Sequence, residues 1–151
     1  MIQRIQTVYL LAAIVVLIMI LVLPIATLVN AQSDSFTYLF YGIVNSEGQI
    51  ALQAFPLAGL LVIMPVISLI SIFLHKNRIL QMRFCIYNIL LMFGSIGLIW
   101  FYSFQAKNNL FTETIFSFPI VLPLIAAILT YLAFRGIRKD EILVKSIDRI
   151  R

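Results

Sequence analysis

Four long apolar stretches, none of which contains an Asp, Glu, Lys or Arg, make up more than half of this chain and limit what it can fold into. They run approximately over residues 7–29, 51–74, 84–104 and 114–134. A helix needs about 20 residues to cross the hydrocarbon core of a bilayer, and each stretch is that long. Backbone polar groups inside lipid must pair within the protein. The sequence therefore predicts an all-α membrane protein built as a bundle of four transmembrane helices.

The composition excludes an ordinary soluble domain. Apolar residues make up 62% of the 151 residues, whereas about 45–50% is typical of soluble proteins. No segment between the stretches is long enough to fold as a soluble domain. We therefore expect one integral membrane domain over residues 1–151, with a tail at 135–151.

The distribution of basic residues predicts the orientation. Ten of the eleven Lys and Arg residues lie before the first stretch, between the second and third, or after the fourth. Only Lys107 lies in the other two connections, together with Asp34, Glu47 and Glu113. Basic residues in short loops remain on the cytoplasmic side, so both termini are predicted to be cytoplasmic. The net charge of +5 then reflects membrane topology, and we expect no binding of nucleic acid.

The first outer loop, residues 30–50, carries an unusual aromatic segment. Residues 36–41 are rich in aromatic residues that favour strands, and residues 45–48 (Asn-Ser-Glu-Gly) are typical of a turn. These features predict a short hairpin on the outer surface, although an extended segment fits them equally well.

The tail has the pattern of an amphipathic helix. Leu143, Ile147 and Ile150 lie on one side of a helical wheel, and Glu141 precedes Lys145 by four residues, which is a favourable spacing for an ion pair. We expect a cytoplasmic helix that lies on the inner leaflet and faces anionic lipid. Docking to a protein partner is the alternative.

Small and polar residues inside the stretches are candidates for helix packing. Ala54 and Ala58 are four residues apart, which places them on one helix face where a neighbour can approach closely. Gly94 and Gly97 provide a similar small surface in the third stretch, and Asn88 is expected to form an interhelical hydrogen bond. Prolines such as those at 65 and 123 predict kinks, which serve either packing or a gated cavity.

The chain lacks the side chains of several membrane enzymes and transporters. Cys85 and His75 are the only residues of their types, which excludes a disulfide relay within the chain, a pair of haem-ligating histidines and a usual zinc site. No carboxylate lies within a span, so a proton-coupled exporter would have no obvious carrier. We expect no enzymatic activity, no cofactor and no metal.

Three segments resemble a known family. They are MIQRIQTVYLL at the start, FLHKNRILQMR at 73–83 and KDEILVKSIDRIR at the end. The chain resembles, from end to end, the four-span bacterial proteins of domain of unknown function 4293, which are known from the Bacteroidetes. The resemblance implies a multi-pass protein of a Gram-negative inner membrane, and it implies no catalytic residue.

The charged residues of the predicted cytoplasmic side have both signs, although topology alone requires only basic ones. They form a candidate interaction surface that comprises Arg4, Lys76, Arg78, Arg83, Arg135, Arg138, Lys139, Asp140, Glu141, Asp148 and Arg149. The leading hypothesis is a non-enzymatic accessory, scaffold or assembly subunit that engages anionic lipid, a protein partner or further copies of itself. The alternative is a small oligomeric transporter or channel, with a path lined by Ser68, Ser71, Asn88, Ser95 and Thr130.

Overall fold

A computed structural model describes residues 2–30, 35–74, 77–110 and 112–148 and shows four long helices. The helices are α1 (Ile2–Val22), α2 (Phe55–Phe73), α3 (Arg78–Leu110) and α4 (Leu122–Asp148), and a short 3₁₀ turn at Phe118–Val121 leads into α4. All four are long and apolar enough to cross a membrane, which confirms that part of the prediction. Each helix packs against the next, and α1 also packs against α4, so the four form a closed bundle.

The interior of the bundle is built from a narrow seam on each helix. In α1 the buried side chains are Gln6, Leu10, Ala13, Leu17 and Ile20, which are spaced alternately by four and three residues. The same spacing recurs in α2 from Leu57 to Ser71 and in α3 from Gln81 to Ala106. A seam that repeats every 3.5 residues is typical of helices that pack at small crossing angles in left-handed bundles.

The outward faces of the helices are apolar. In the most apolar segment of each helix, only 28% to 39% is buried inside the protein. Most of each segment therefore faces outwards. The seams, in contrast, contain polar side chains such as Ser68, Asn88 and Thr130, each at most 1% exposed. This arrangement suits a hydrocarbon solvent, where polar groups find partners between helices and aliphatic groups face lipid.

A five-stranded antiparallel sheet covers one end of the bundle, with the strand order β4-β3-β2-β1-β5. The strands are β1 (Ala26–Asn30), β2 (Ser35–Leu39), β3 (Gly42–Asn45), β4 (Ile50–Gln53) and β5 (Thr112–Phe116). The predicted turn at residues 45–48 is present and joins β3 to β4, and the aromatic segment before it forms β2. The predicted hairpin therefore corresponds to β3 and β4, but it belongs to a larger sheet. The prediction of an all-α protein is wrong in this respect: the fold is mostly helical with a small sheet.

The sheet takes residues from three of the predicted spans. The first stretch was expected to be helical to residue 29, but α1 ends at Val22 and residues 26–29 lie in β1. Residues 51–53 lie in β4 and 114–116 in β5. Pro24 offers no backbone N–H to a continuing helix, and the apolar residues that follow it pair as strands instead.

The sheet packs onto the bundle through one apolar face. Ile25, Leu28, Tyr38 and Ile43 are fully buried, in one cluster with Leu57 of α2 and other seam residues. Burial raises the pKa of Tyr38 above its usual value, and the nearby Tyr102 adds to the rise. The sheet and the adjoining parts of the helices therefore share one apolar cluster, and a smaller one around Leu10, Cys85 and Ala133 is separate from it.

The predicted tail helix is a continuation of α4 as far as Asp148. No proline interrupts the chain after residue 123, and the single glycine in this part, Gly136, lies within the helix. The tail is therefore helical as predicted as far as Asp148, but it continues α4 and does not begin a new helix. Residues 149–151 lie outside the described part of the chain.

Candidate interaction surface at the basic end

The two ends of the chain meet through a buried hydrogen bond. Gln6 near the start of α1 donates from Nε2 to Oδ2 of Asp140 in α4 over 2.7 Å. Their side chains are only 6% and 8% exposed. Arg78, the first residue of α3, donates from Nη1 to the backbone carbonyl oxygen of Asp140 over 3.2 Å. These three residues, here called the Gln6–Asp140–Arg78 cluster, join α1, α3 and α4. They lie at the end of the bundle where α1 and α3 begin and α4 ends, which we call the basic end.

Gly136 makes room for this cluster. A Cβ atom at that position would lie 3.0 Å from Cγ of Gln6, which is closer than side chains ordinarily pack. Gly136 precedes Asp140 by four residues, so both lie on the same face of α4. The missing side chain lets α1 approach α4 closely enough for Gln6 to reach the carboxylate.

The cluster gives Asp140 a different role from the one predicted. The sequence placed this residue on an exposed surface, but it is buried against Gln6. A buried carboxylate is stable only where hydrogen bonds compensate for its lost hydration. Asp140 therefore joins helices, and its side chain is largely covered at the outer surface of the basic end.

Among the side chains that the structure describes, four cations are exposed around the basic end. Arg83 lies on α3, whereas Arg135, Arg138 and Lys139 lie on α4. Arg83 and Arg138 flank a groove between these two helices, and Glu141 also lines it. The side chains of Arg4 and Asp148, and the whole of residues Lys76 and Arg149, lie outside the part of the chain that the structure describes.

Asn88 lies between two helices in the middle of the bundle. Its amide Nδ2 donates to the Ser68 hydroxyl over 2.7 Å, and this hydrogen bond joins α3 to α2. Asn88 is 1% exposed and Ser68 is fully buried. Asn88 thus stabilises helix packing from within the protein.

The small residues that the sequence singled out are less central to packing. Ala54 is buried just ahead of α2, where its backbone N–H donates to the carbonyl oxygen of Tyr41 in the turn between β2 and β3, and Ala58 is half-buried. A Cβ on Gly94 would lie 3.9 Å from Leu60, and one on Gly97 would meet nothing within 4 Å in the described chain. Helix approach in this chain depends on the seams rather than on the two glycines of α3.

Sequence reasoning missed three residues of the basic end: Gln6, Gln81 and Gly136. Gln81 is 6% exposed in the seam of α3. The signal was present in the sequence, because Gln6 and Gln81 begin the runs of residues spaced by four and three that became seams. Whether a polar residue has the spacing of such a run predicts its burial better than its distance from the nearest charged residue does.

A second groove lies at the opposite, sheet-covered end. It has a volume of about 380 Å³, and its lining includes Trp100, Lys107 and Phe116. The Trp100 and Phe116 rings stack with their centroids 6.2 Å apart. Among the described residues, no group of three or more His, Cys, Asp and Glu side chains is placed to hold a metal ion.

The comparisons with known proteins give a family but no activity. No curated protein matches the chain. The sequence profile of the family described as "Domain of unknown function (DUF4293)" matches residues 2–150, which is nearly the whole chain and agrees with the resemblance seen in its three segments. The chain therefore belongs to the DUF4293 family.

Proposed function

We propose that this chain is a non-enzymatic accessory or assembly subunit of a bacterial inner-membrane complex, and that its basic end engages the partner. The observation that carries the proposal is the separation of charges at this end. The carboxylate of Asp140 is engaged inside the protein by Gln6, whereas Arg135, Arg138 and Lys139 stay exposed on α4. The packed bundle thus presents exposed cations at the end where its buried carboxylate is already engaged.

The proposed orientation puts the basic end in the cytoplasm. The start of α1 and the last turns of α4 lie together, as the hydrogen bond between Gln6 and Asp140 requires. Basic residues favour the cytoplasmic side, and the sheet would then lie on the outer side. Fusion of a reporter that is active on one side only, placed in the Asn45–Gly48 turn, tests this: activity in the cytoplasm would contradict the orientation.

The interior supports a packed subunit over a transporter. Of the five side chains that would line a path, four are buried and bonded within the protein: Asn88 to Ser68, Ser95 to the Met92 carbonyl over 2.7 Å, and Thr130 to the Ala126 carbonyl over 2.8 Å. The Ser71 hydroxyl and the Asn88 amide oxygen are buried without a hydrogen-bond partner among the described residues. A solute path needs such groups to face water or the solute.

The test is purification from native membranes in mild detergent, followed by mass spectrometry of the proteins that stay bound. We expect a stoichiometric partner with the wild-type chain. The double variant Arg135→Gln/Lys139→Gln should lose it, because both side chains are exposed on α4. Lys107→Gln, an exposed cation at the opposite end, is the matched control and should retain it.

Two results would contradict the proposal. A bare monomer or homo-oligomer that supports solute flux in liposomes would favour the transporter. Equal retention of the partner by all variants would remove the basic end from the interaction.

A further inference from the structure

A groove between the beginning of α3 and the last part of α4 combines cations with an apolar floor. Its volume is about 450 Å³, within the range of about 300–1,000 Å³ that is usual for small-molecule sites. Arg83 and Arg138 contribute guanidinium groups from the two facing helices, and Ile86 and Phe134 belong to its apolar lining. We propose that this groove binds one anionic phospholipid, with its phosphate between Arg83 and Arg138 and an acyl chain along Ile86 and Phe134.

The charge of the groove favours an anion. Two arginines and one glutamate, Glu141, line it among the described residues, so the balance is positive. Guanidinium groups match phosphate oxygens with paired hydrogen bonds, which a lysine cannot reproduce. Both arginines are exposed, so a headgroup can reach them from outside the bundle.

The composition of the lining favours a lipid over a soluble anion. Among the described residues, five of the eight that line the groove are apolar: Ile79, Met82, Ile86, Phe134 and Ile142. Apolar residues thus lie on both sides of Arg83 along α3 and of Arg138 along α4. An amphiphile with a charged head and an apolar chain can contact both kinds of residue, whereas a free phosphate would contact only the arginines.

The lipid site depends on the membrane placement in the proposed function, with the basic end at the inner leaflet, but it requires no protein partner. Anionic headgroups are characteristic of basic pockets between transmembrane helices on the cytoplasmic side. Loss of the partner would therefore leave the lipid site intact, and the two proposals fail separately.

The test is native mass spectrometry of the full chain, delipidated in a neutral detergent and titrated with phosphatidylglycerol or with phosphatidylcholine of the same acyl chains. We expect one phosphatidylglycerol per chain and weaker binding of phosphatidylcholine. Each arginine should contribute about fivefold in affinity. Arg83→Gln/Arg138→Gln should therefore weaken phosphatidylglycerol binding by about 25-fold and abolish the headgroup preference.

The matched control is Arg135→Gln/Lys139→Gln, which removes the same charge from exposed positions outside the groove. It should change the affinity by less than about twofold, since only lining residues contact the headgroup. Glu141→Gln should act in the opposite direction and strengthen binding. The variant Arg83→Lys/Arg138→Lys retains the charge and should keep a reduced preference for phosphatidylglycerol, which guards against a folding defect in the glutamine variant.

Several outcomes would overturn the proposal. Equal losses in the two double glutamine variants would mean diffuse electrostatics rather than a site. Equal affinity for both lipids, or no retained lipid, would exclude recognition of the headgroup. Competition by inorganic phosphate at the concentration of the lipid would indicate an ion site, and a protein partner lost only in the groove variant would mean that a protein occupies the groove.

Discussion

The two ends of the bundle are closed in different ways. At the sheet end, backbone groups of two connecting segments pair in five strands, and β5 joins β1 although about 80 residues separate them. At the basic end, the helices are joined by the side chains of Gln6, Arg78 and Asp140. Backbone pairing tolerates many side chains, whereas the basic end depends on a few particular ones.

The difference has a physical reason. Chain that leaves a helix near the bilayer must still satisfy its backbone N–H and C=O groups, and the long connections of the sheet end do so by pairing with one another. At the basic end α2 and α3 are separated by only a few residues, and most backbone groups are already bonded within helices. The remaining requirement is to satisfy buried side chains.

The largest expected effect is at the basic end. Gln6→Ala removes the donor to a buried carboxylate, and we expect it to lower the free energy of unfolding by about 3 kcal/mol. Reversible unfolding in mixed micelles measures this. Asp140→Asn, which keeps an acceptor oxygen in place, is the control and should cost about 1 kcal/mol or less. A loss below about 0.5 kcal/mol for Gln6→Ala would show that the cluster does not join the helices.

The next effect is at the sheet end and involves backbone geometry. A Cβ on Gly42 would overlap the Leu52 carbonyl oxygen in the neighbouring strand, so Gly42→Ala should cost about 2 kcal/mol. Gly48 has a φ of 81° but open space around its Cβ position, so Gly48→Ala should cost only about 1 kcal/mol. The same unfolding measurement separates overlap from backbone strain. Equal losses would mean that β3 and β4 move apart freely.

A smaller effect is expected midway between the ends. Asn88→Leu removes the hydrogen bond to Ser68, and such bonds between membrane helices average about 0.6 kcal/mol. Ser95→Ala, which removes a bond to the carbonyl of its own helix, should cost less. A loss at Asn88 as large as that at Gln6 would mean that the polar seam, rather than the basic end, holds the bundle together.

The smallest effect is expected at Tyr38 in the centre of the sheet. Its side chain is fully buried, and its hydroxyl has no hydrogen-bond partner among the described residues. Tyr38→Phe removes an unsatisfied group and should change stability by less than about 0.5 kcal/mol. Thermal unfolding of the purified chain gives the result. A loss above about 1 kcal/mol would show that a side-chain hydrogen bond also supports the sheet end.

The four helices were predictable because length and apolar content suffice to recognise a spanning segment. The ends of the helices were not. Residues 26–29 and 114–116 are as apolar as the spans beside them, and short apolar runs do not distinguish strand from helix. The hairpin of β3 and β4 was recognised because the Asn45–Gly48 turn gives a local signal, and the aromatic residues of β2 favour a strand. The pairing of β1 with β5 has no such local signal.

The candidate site was predicted from the positions of charged residues, and the structure shows that one of them, Asp140, is buried. Arg83 and Arg138, which the sequence assigned to the candidate interaction surface, are both exposed. The sequence did not distinguish Asp140 from its neighbour Glu141. Consecutive residues of a helix point about 100° apart around its axis, so only one of them faces α1. The packing of α1 against α4 decides which one that is.

The sequence by itself determined that this chain has four helices of spanning length and that its basic residues lie almost entirely in one set of connections, because both properties are sums over local composition. The tertiary structure alone decided which distant residues meet. It paired Gln6 with Asp140, 134 positions apart, added β5 to β1, and set Arg83 opposite Arg138 across one groove. Such pairings depend on how whole helices pack, and no local stretch of the chain encodes the identity of its partner.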